Sequence, residues 1–267
     1  MLKRILLLAT AIGIAGAATA HAQRAPAGIF GPPPPAPPKP GKAGAPVDFT
    51  GYWVSVVTED WRWRMVTPLK GDAASVPITS EARRIIDAWD PAKDEAAGLQ
   101  CKAYAAPAIM RVPGRLHITW QDDVTLKIET DSGQQVRLFH FTGQQTPDLK
   151  PSWQGYSTAR WEPGAQVDPS AIPLGVGPRI PPRSRSLAVV TTNLRPGYLR
   201  KNGIPYSAKT TVREYYDLFT EPNGDTWFMV MTIVDDPVYL RRPFVTTTHF
   251  KKQPDATGWS PEPCTAR

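Results

Sequence analysis

The sequence predicts an all-β fold: an antiparallel up-and-down β-barrel of about nine or ten strands, with one short helix and long loops. Three observations lead there. From Phe49 to Lys251 apolar residues recur at every second position in short runs, separated by Gly, Pro, Asn or Asp; this is the pattern of strands that pack one face. A defensible helical period occurs in one place, Thr79–Trp89. No repeat of roughly 20–50 residues is visible, which disfavours a propeller or solenoid. With 267 residues and 41% hydrophobic content the chain can build one large β domain.

The first 22 residues read as a Sec-type signal peptide. Lys3 and Arg4 precede the apolar run Ile5–Ala18 and the small-x-small site Ala20-His21-Ala22. The run is too short, and too rich in Ala and Gly, for a spanning anchor, so no stable membrane insertion is expected after cleavage. Residues 23–46 include GPPPPAPPKPGK, a polyproline-type tether. It serves as a spacer or, alternatively, docks an envelope protein partner. Lys3, Arg4, Arg24, Lys39 and Lys42 are basic and no acidic residue precedes Asp48, so the net charge of +7 less these five leaves +2 for the rest. That balance gives no reason to expect a nucleic-acid partner.

The folded domain is read as residues 47–267. Its first strand covers Phe49–Thr58 and continues through Trp61–Met65, where alternation puts Trp61 and Trp63 on one face and Arg62 and Arg64 on the other. Which pair faces inward is left open. In the helix Thr79–Trp89, Thr79 and Ser80 are N-cap candidates and Asp90-Pro91 is the stop. Strands follow at Arg115–Gln121, Thr125–Thr130, Gln135–Phe141 and Gly155–Glu162. Pro163–Pro182 reads as a long loop or lid. After a strand at Ser186–Thr192, the segment Asn193–Tyr206 breaks the pattern. A three-strand meander, Thr210–Thr220, Thr226–Val234 and Phe244–Lys251, ends the domain, its first turn signalled by Glu221-Pro222-Asn223-Gly224-Asp225.

Gly51-Tyr52-Trp53 on the first strand resembles the G-x-W signature of lipocalins, in which the tryptophan closes one end of an up-and-down barrel. More of the chain is similar to exported bacterial proteins of lipocalin-like, or calycin-like, barrel fold and unassigned function. The similar segments are GYWVSVVTEDWRWRM, PSWQGYSTARWE, LAVVTTNL and VREYYDLFTEPNGDTWFMVMTIVDDPVYLRRPF. In that group the central segment runs G-H-S-x-G-x-W-E. Here Tyr156 stands where histidine is usual, so no role of that histidine carries over. The resemblance implies a lipocalin-like barrel and a periplasmic or secreted location, and it supplies no activity.

In such a compartment Cys101 and Cys264 are expected to form a disulfide. No CxxC points to a redox pair or zinc knuckle, and no HxH or HExxH points to a metal. With no phosphate loop, dinucleotide fingerprint or GxSxG elbow, no cofactor is expected. The acid/base candidates are His117, His140, Glu59 and Tyr156, with His117 and His140 on hairpin-linked strands that could bring them together. The ligand-binding candidates are Trp61, Arg62, Trp63 and Arg64, then Arg137, Arg160, Glu162, Glu214 and Tyr216 on strands a barrel could bring together. Arg195, Tyr198, Arg200 and Lys201 form a loop suited to a carboxylate.

These residues lead to an exported periplasmic binding protein for a small hydrophobic or aromatic ligand, with room for an anionic group, held in a barrel cavity. The alternative is a cofactor-free acid/base enzyme (hydratase, dehydratase, isomerase or lyase) using the same cavity. A third reading is an envelope scaffold acting through the tether.

Overall fold

A computed structural model describes residues 39–146, 148–162 and 186–267. The signal peptide, most of the tether and all of the proposed lid lie outside the described residues. Described residues belong to one compact unit, Pro37–Arg267.

Nine strands close into a barrel: β1 (Gly51–Val56), β2 (Arg115–Asp122), β3 (Thr125–Thr130), β4 (Val136–His140), β5 (Tyr156–Trp161), β6 (Ser186–Thr192), β9 (Thr211–Thr220), β10 (Thr226–Asp235) and β11 (Phe244–Gln253). Around the wall the order is β1-β11-β10-β9-β6-β5-β4-β3-β2. The first strand bonds both the last and the second, so the two ends of the domain close the sheet and leave it no free edge. Two strands stand apart as a hairpin, β7 (Gly197–Arg200) and β8 (Ile204–Tyr206), within the segment whose prolines and glycines broke the expected pattern.

One neighbour pair departs from the expected antiparallel course. β4 and β5 run parallel, with Phe139 opposite Ser157 and His140 opposite Thr158. Parallel neighbours need a long return connection, and residues 141–155 supply it. There are also more helices than the one expected: α1 (Trp61–Arg64), α2 (Ser80–Ala88), α3 (Pro91–Ala96) and α4 (Ala106–Ile109). The Thr79 side chain caps α2 by accepting from the Ala82 amide at 3.2 Å. Asp90 then ends α2 and caps α3, with Pro91 in the first turn where no amide is needed. Ala82 and Ile86 bury the inner stripe of α2, and Ile86 joins the cluster that holds Ile204 and Tyr206 of β8. At Gly203, where φ is +83°, an added Cβ would meet Trp89 Cγ at 2.2 Å; only glycine fits this hairpin against α2.

The barrel interior is filled. Inward positions alternate along every strand and carry Trp53, Ile118, Ile128, Phe139, Trp161, Val189, Tyr216, Phe228 and Phe250, all buried in one cluster. Phe49 plugs one end, parallel to Trp161 and edge-on to Tyr216 and Phe228. Trp53 is fully buried and donates its indole N–H to the Phe49 carbonyl at 2.8 Å. Trp161 donates to the Gly41 carbonyl at 2.8 Å, and the Lys42 amide bonds the Asp123 carbonyl. Residues 41–46, read from composition as the end of the tether, are therefore packed onto the barrel.

Cys101 and Cys264 form a disulfide with a Cα–Cα distance of 5.1 Å. It ties the C-terminal tail to the 3-10 turn Gln100–Tyr104. No described helix is long and apolar enough to cross a membrane.

Candidate functional site

The expected strand through Trp61–Arg64 is instead the helical turn α1. Asp60 takes a left-handed conformation, φ 52° and ψ 24°, and ends the extended course of β1. A helix turns its side chains by about 100° per residue where a strand turns them by 180°. The alternation of aromatic and cationic faces is thereby lost: Trp61 and Arg62 point out, while Trp63 is half-buried and Arg64 is buried. Arg64 holds the turn in place, donating to the Glu59 carboxylate at 2.5 Å, to Ser55 Oγ at 3.1 Å and to the Arg111 carbonyl at 3.0 Å.

Behind this turn lies a cleft of about 310 Å³. α1 and the chain after it form one wall, Ala108–Pro113 another, and Arg200 with Lys201 a third. The last side is the tail Glu262–Thr265, which the disulfide fixes.

Three buried arginines converge here: Arg64, Arg111 and Arg200. Arg111 donates to Asp60 at 2.9 Å, and its Nη2 has no partner. Arg200 donates to the Ala74 carbonyl and Ser75 Oγ and lies over the rings of Trp63 and Phe244; its Nε has no partner. Burial and the neighbouring Arg111 pull the Arg200 pKa down to about 10, against the opposing pull of Asp60 and Asp72. Burial also lowers Arg64; Glu59 opposes the shift and Arg111 adds to it. A buried cation with a free donor is costly unless something accepts from it. A carboxylate or phosphate oxygen is the group that fits.

Next to the cleft, Glu59 joins three groups. One carboxylate oxygen accepts from Arg64; the other accepts from the Thr58 hydroxyl at 2.5 Å and lies 3.0 Å from Nδ1 of His249. His249 does not line the cleft itself and is joined to it through Glu59, which bonds Arg64 of the cleft wall.

The other candidates disperse. His117 stacks on Tyr52 at 4.2 Å and lies 3.3 Å from Glu129. His140 stacks on Tyr156 at 4.9 Å, and burial lowers its pKa. Contrary to expectation the two histidines do not meet. Their partners on β3, Glu129 and Thr125, are four residues apart, roughly 13 Å at about 3.3 Å per residue. Arg160 and Glu162 pair with each other, with the arginine exposed.

Arg137, Glu214 and Tyr216 do point into the barrel, as the alternation required, but they pair with one another, leaving only Arg137 Nε without a partner. Arg137 grips Glu214 through both terminal nitrogens, at 2.9 and 2.6 Å, and also contacts Tyr216 and Thr191. Burial disfavours the Arg137 charge, yet Glu214 and Tyr216 outweigh it and raise its pKa. Burial and the Glu214 charge push the Tyr216 phenol far above its usual value.

The loop grouped as Arg195, Tyr198, Arg200 and Lys201 is divided. Arg195 lies 4.1 Å over Trp153. Tyr198 donates to Asp94, which also takes Lys102, and burial with Asp94 raises its pKa. Arg200 and Lys201 reach the cleft. Arg111 was missed, and His249, one of the three histidines beyond the signal peptide, was not among the acid/base candidates. The available signal for Arg111 was a single charge in the apolar run Ala105–Val112.

No protein-family model, curated protein or solved structure matches the chain. Among the described residues no group of three or more His, Cys, Asp or Glu could hold a metal ion.

Proposed function

We propose that this is an exported binding protein of lipocalin-like barrel architecture that takes a small anionic ligand with an apolar or aromatic body, in the cleft at the end of the barrel. The signal-peptide pattern of residues 1–22 supports export to the periplasm or beyond, and the Cys101–Cys264 bridge fits an oxidising compartment. The barrel interior, where the ligand was first expected, is occupied by its own aromatic side chains and the Arg137–Glu214 pair.

One observation carries the reading: Arg111 Nη2 and Arg200 Nε are unpartnered donors on buried guanidiniums that line the same cleft. Met65, Val66 and Val112 supply apolar wall beside them. Thermal unfolding in acetate, benzoate and inorganic phosphate tests the proposal. Benzoate is expected to raise Tm with the logarithm of its concentration above Kd, by the equivalent of about 2.7 kcal/mol at a hundred times Kd. Arg111→Gln should lose most of that shift. An Arg111→Gln response equal to that of the parent protein, or no response to any anion, overturns the site.

A second reading is favoured by Glu59 and His249. A carboxylate fixing Nδ1 of an imidazole prepares the other ring nitrogen to accept a proton, as a cofactor-free lyase or isomerase requires. For a carboxylic acid that binds the cleft, the measurable activity is exchange of its α-proton in D2O. His249→Gln should slow that exchange at least a hundredfold while His117→Gln leaves it unchanged. Equal rates in the two variants would remove His249 from the chemistry.

A further inference from the structure

Residues 61–69 carry the four most exposed large apolar side chains among the described residues: Trp61 at 66%, Met65 at 59%, Val66 at 66% and Leu69 at 75%. Scattered single apolar residues on a surface need no explanation, but such a cluster does. It is displayed by a segment pinned from behind. Arg64 anchors α1 as described, Trp63 Nε1 donates to Asp72, and the Asn202 side-chain amide donates to the carbonyls of Leu69 and Asp72. Asn202 is itself fully buried. The loop is therefore held in the conformation that turns Trp61, Met65, Val66 and Leu69 to solvent.

Its charges are of one sign. Arg62 and Lys70 are exposed within and at the end of the run, and positions 61–71 contain no acidic residue. The carboxylates that flank the run are all paired: Glu59 with Arg64, Asp60 with Arg111, and Asp72 with Arg62, Trp63 and the Ala74 amide. A tryptophan with aliphatic neighbours and flanking Arg and Lys is the composition that settles at a bilayer–water boundary, the apolar groups in the acyl margin and the cations among anionic headgroups.

We infer that residues 61–70 form a peripheral docking lip for a lipid surface rich in anionic headgroups. The lip engages the surface without a spanning segment, and its inner side, through Met65 and Val66, borders the arginine cleft. This surface is independent of whether the cleft binds a small anion.

The test is co-sedimentation of the full chain with vesicles of phosphatidylcholine alone and of phosphatidylcholine mixed with phosphatidylglycerol. The parent protein should favour the mixed vesicles, and Trp61→Ser with Leu69→Ser should weaken that binding by tenfold or more, since two exposed apolar groups lose their burial. Both sites are solvent-facing, so the double variant should keep the parent's Tm and its response to benzoate. Three results overturn the lip: no binding to either vesicle, undiminished binding by the double variant (which would place the contact elsewhere in the chain), or a parent dimer in the absence of lipid that the double variant converts to monomer. The Arg111→Gln variant separates the two proposals, because it should lose the anion response and keep vesicle binding.

Discussion

Glu214→Gln is expected to cost about 3–5 kcal/mol of unfolding free energy at neutral pH, the loss typical when one partner of a buried ion pair is removed. Arg137 and Glu214 have side chains with no solvent exposure and are joined by two hydrogen bonds in the middle of the barrel. The substitution leaves the guanidinium with Tyr216, Thr191 and a neutral amide, and water cannot replace the lost charge in a filled interior. Arg137→Met combined with Glu214→Leu should recover most of the stability, because removing both charges also removes their desolvation cost. Urea unfolding of the parent, single and double variants decides the matter. If the single variant costs less than about 1 kcal/mol, the interior is wetter than its packing indicates.

Replacing both cysteines by serine is expected to remove about 2–5 kcal/mol. The bridge spans 163 residues of sequence, so it restricts the unfolded chain strongly. It also fixes the tail that walls the cleft. That tail is otherwise held by backbone bonds from the Gly133 amide to the Glu262 carbonyl and from the Glu262 amide to the Asp131 carbonyl, and by the Thr265 hydroxyl against Tyr104 and Lys201. The cysteine-free protein should therefore be less stable and show a smaller Tm shift with benzoate than the parent. Denaturant melts with and without reductant, repeated in benzoate, measure both effects. An unchanged benzoate shift would show that these remaining bonds hold the wall without the bridge.

The two proposed sites were legible to different degrees. Arg200 and Lys201 were picked out from the sequence because basic and aromatic residues interrupt a turn-rich segment. Their former companions Arg195 and Tyr198 took local partners, Trp153 and Asp94, that no spacing announces. Arg64 was a candidate, yet the geometry assigned to it was wrong. The run Trp61-Arg62-Trp63-Arg64 alternates perfectly, and alternation is a strand signal only when the backbone is extended. One left-handed residue, Asp60, and the burial of Arg64 between Glu59, Ser55 and the Arg111 carbonyl turn it into a helix. The Glu59–His249 contact joins residues 190 apart in sequence; their proximity follows from β1 pairing with β11, which places Val56 opposite His249.

By itself the sequence determined the nine barrel strands, because burying one face of a sheet imposes a period of two that each segment carries locally. It determined α2 through its cap and stripe, and the disulfide through having only two cysteines. The tertiary structure decided how the sheet closes, that β4 and β5 run parallel, that Arg137 and Glu214 neutralise each other, and that the cleft lies at the barrel's end. Each of these depends on which distant side chain comes to share a buried space, and desolvation makes that pairing energetically decisive.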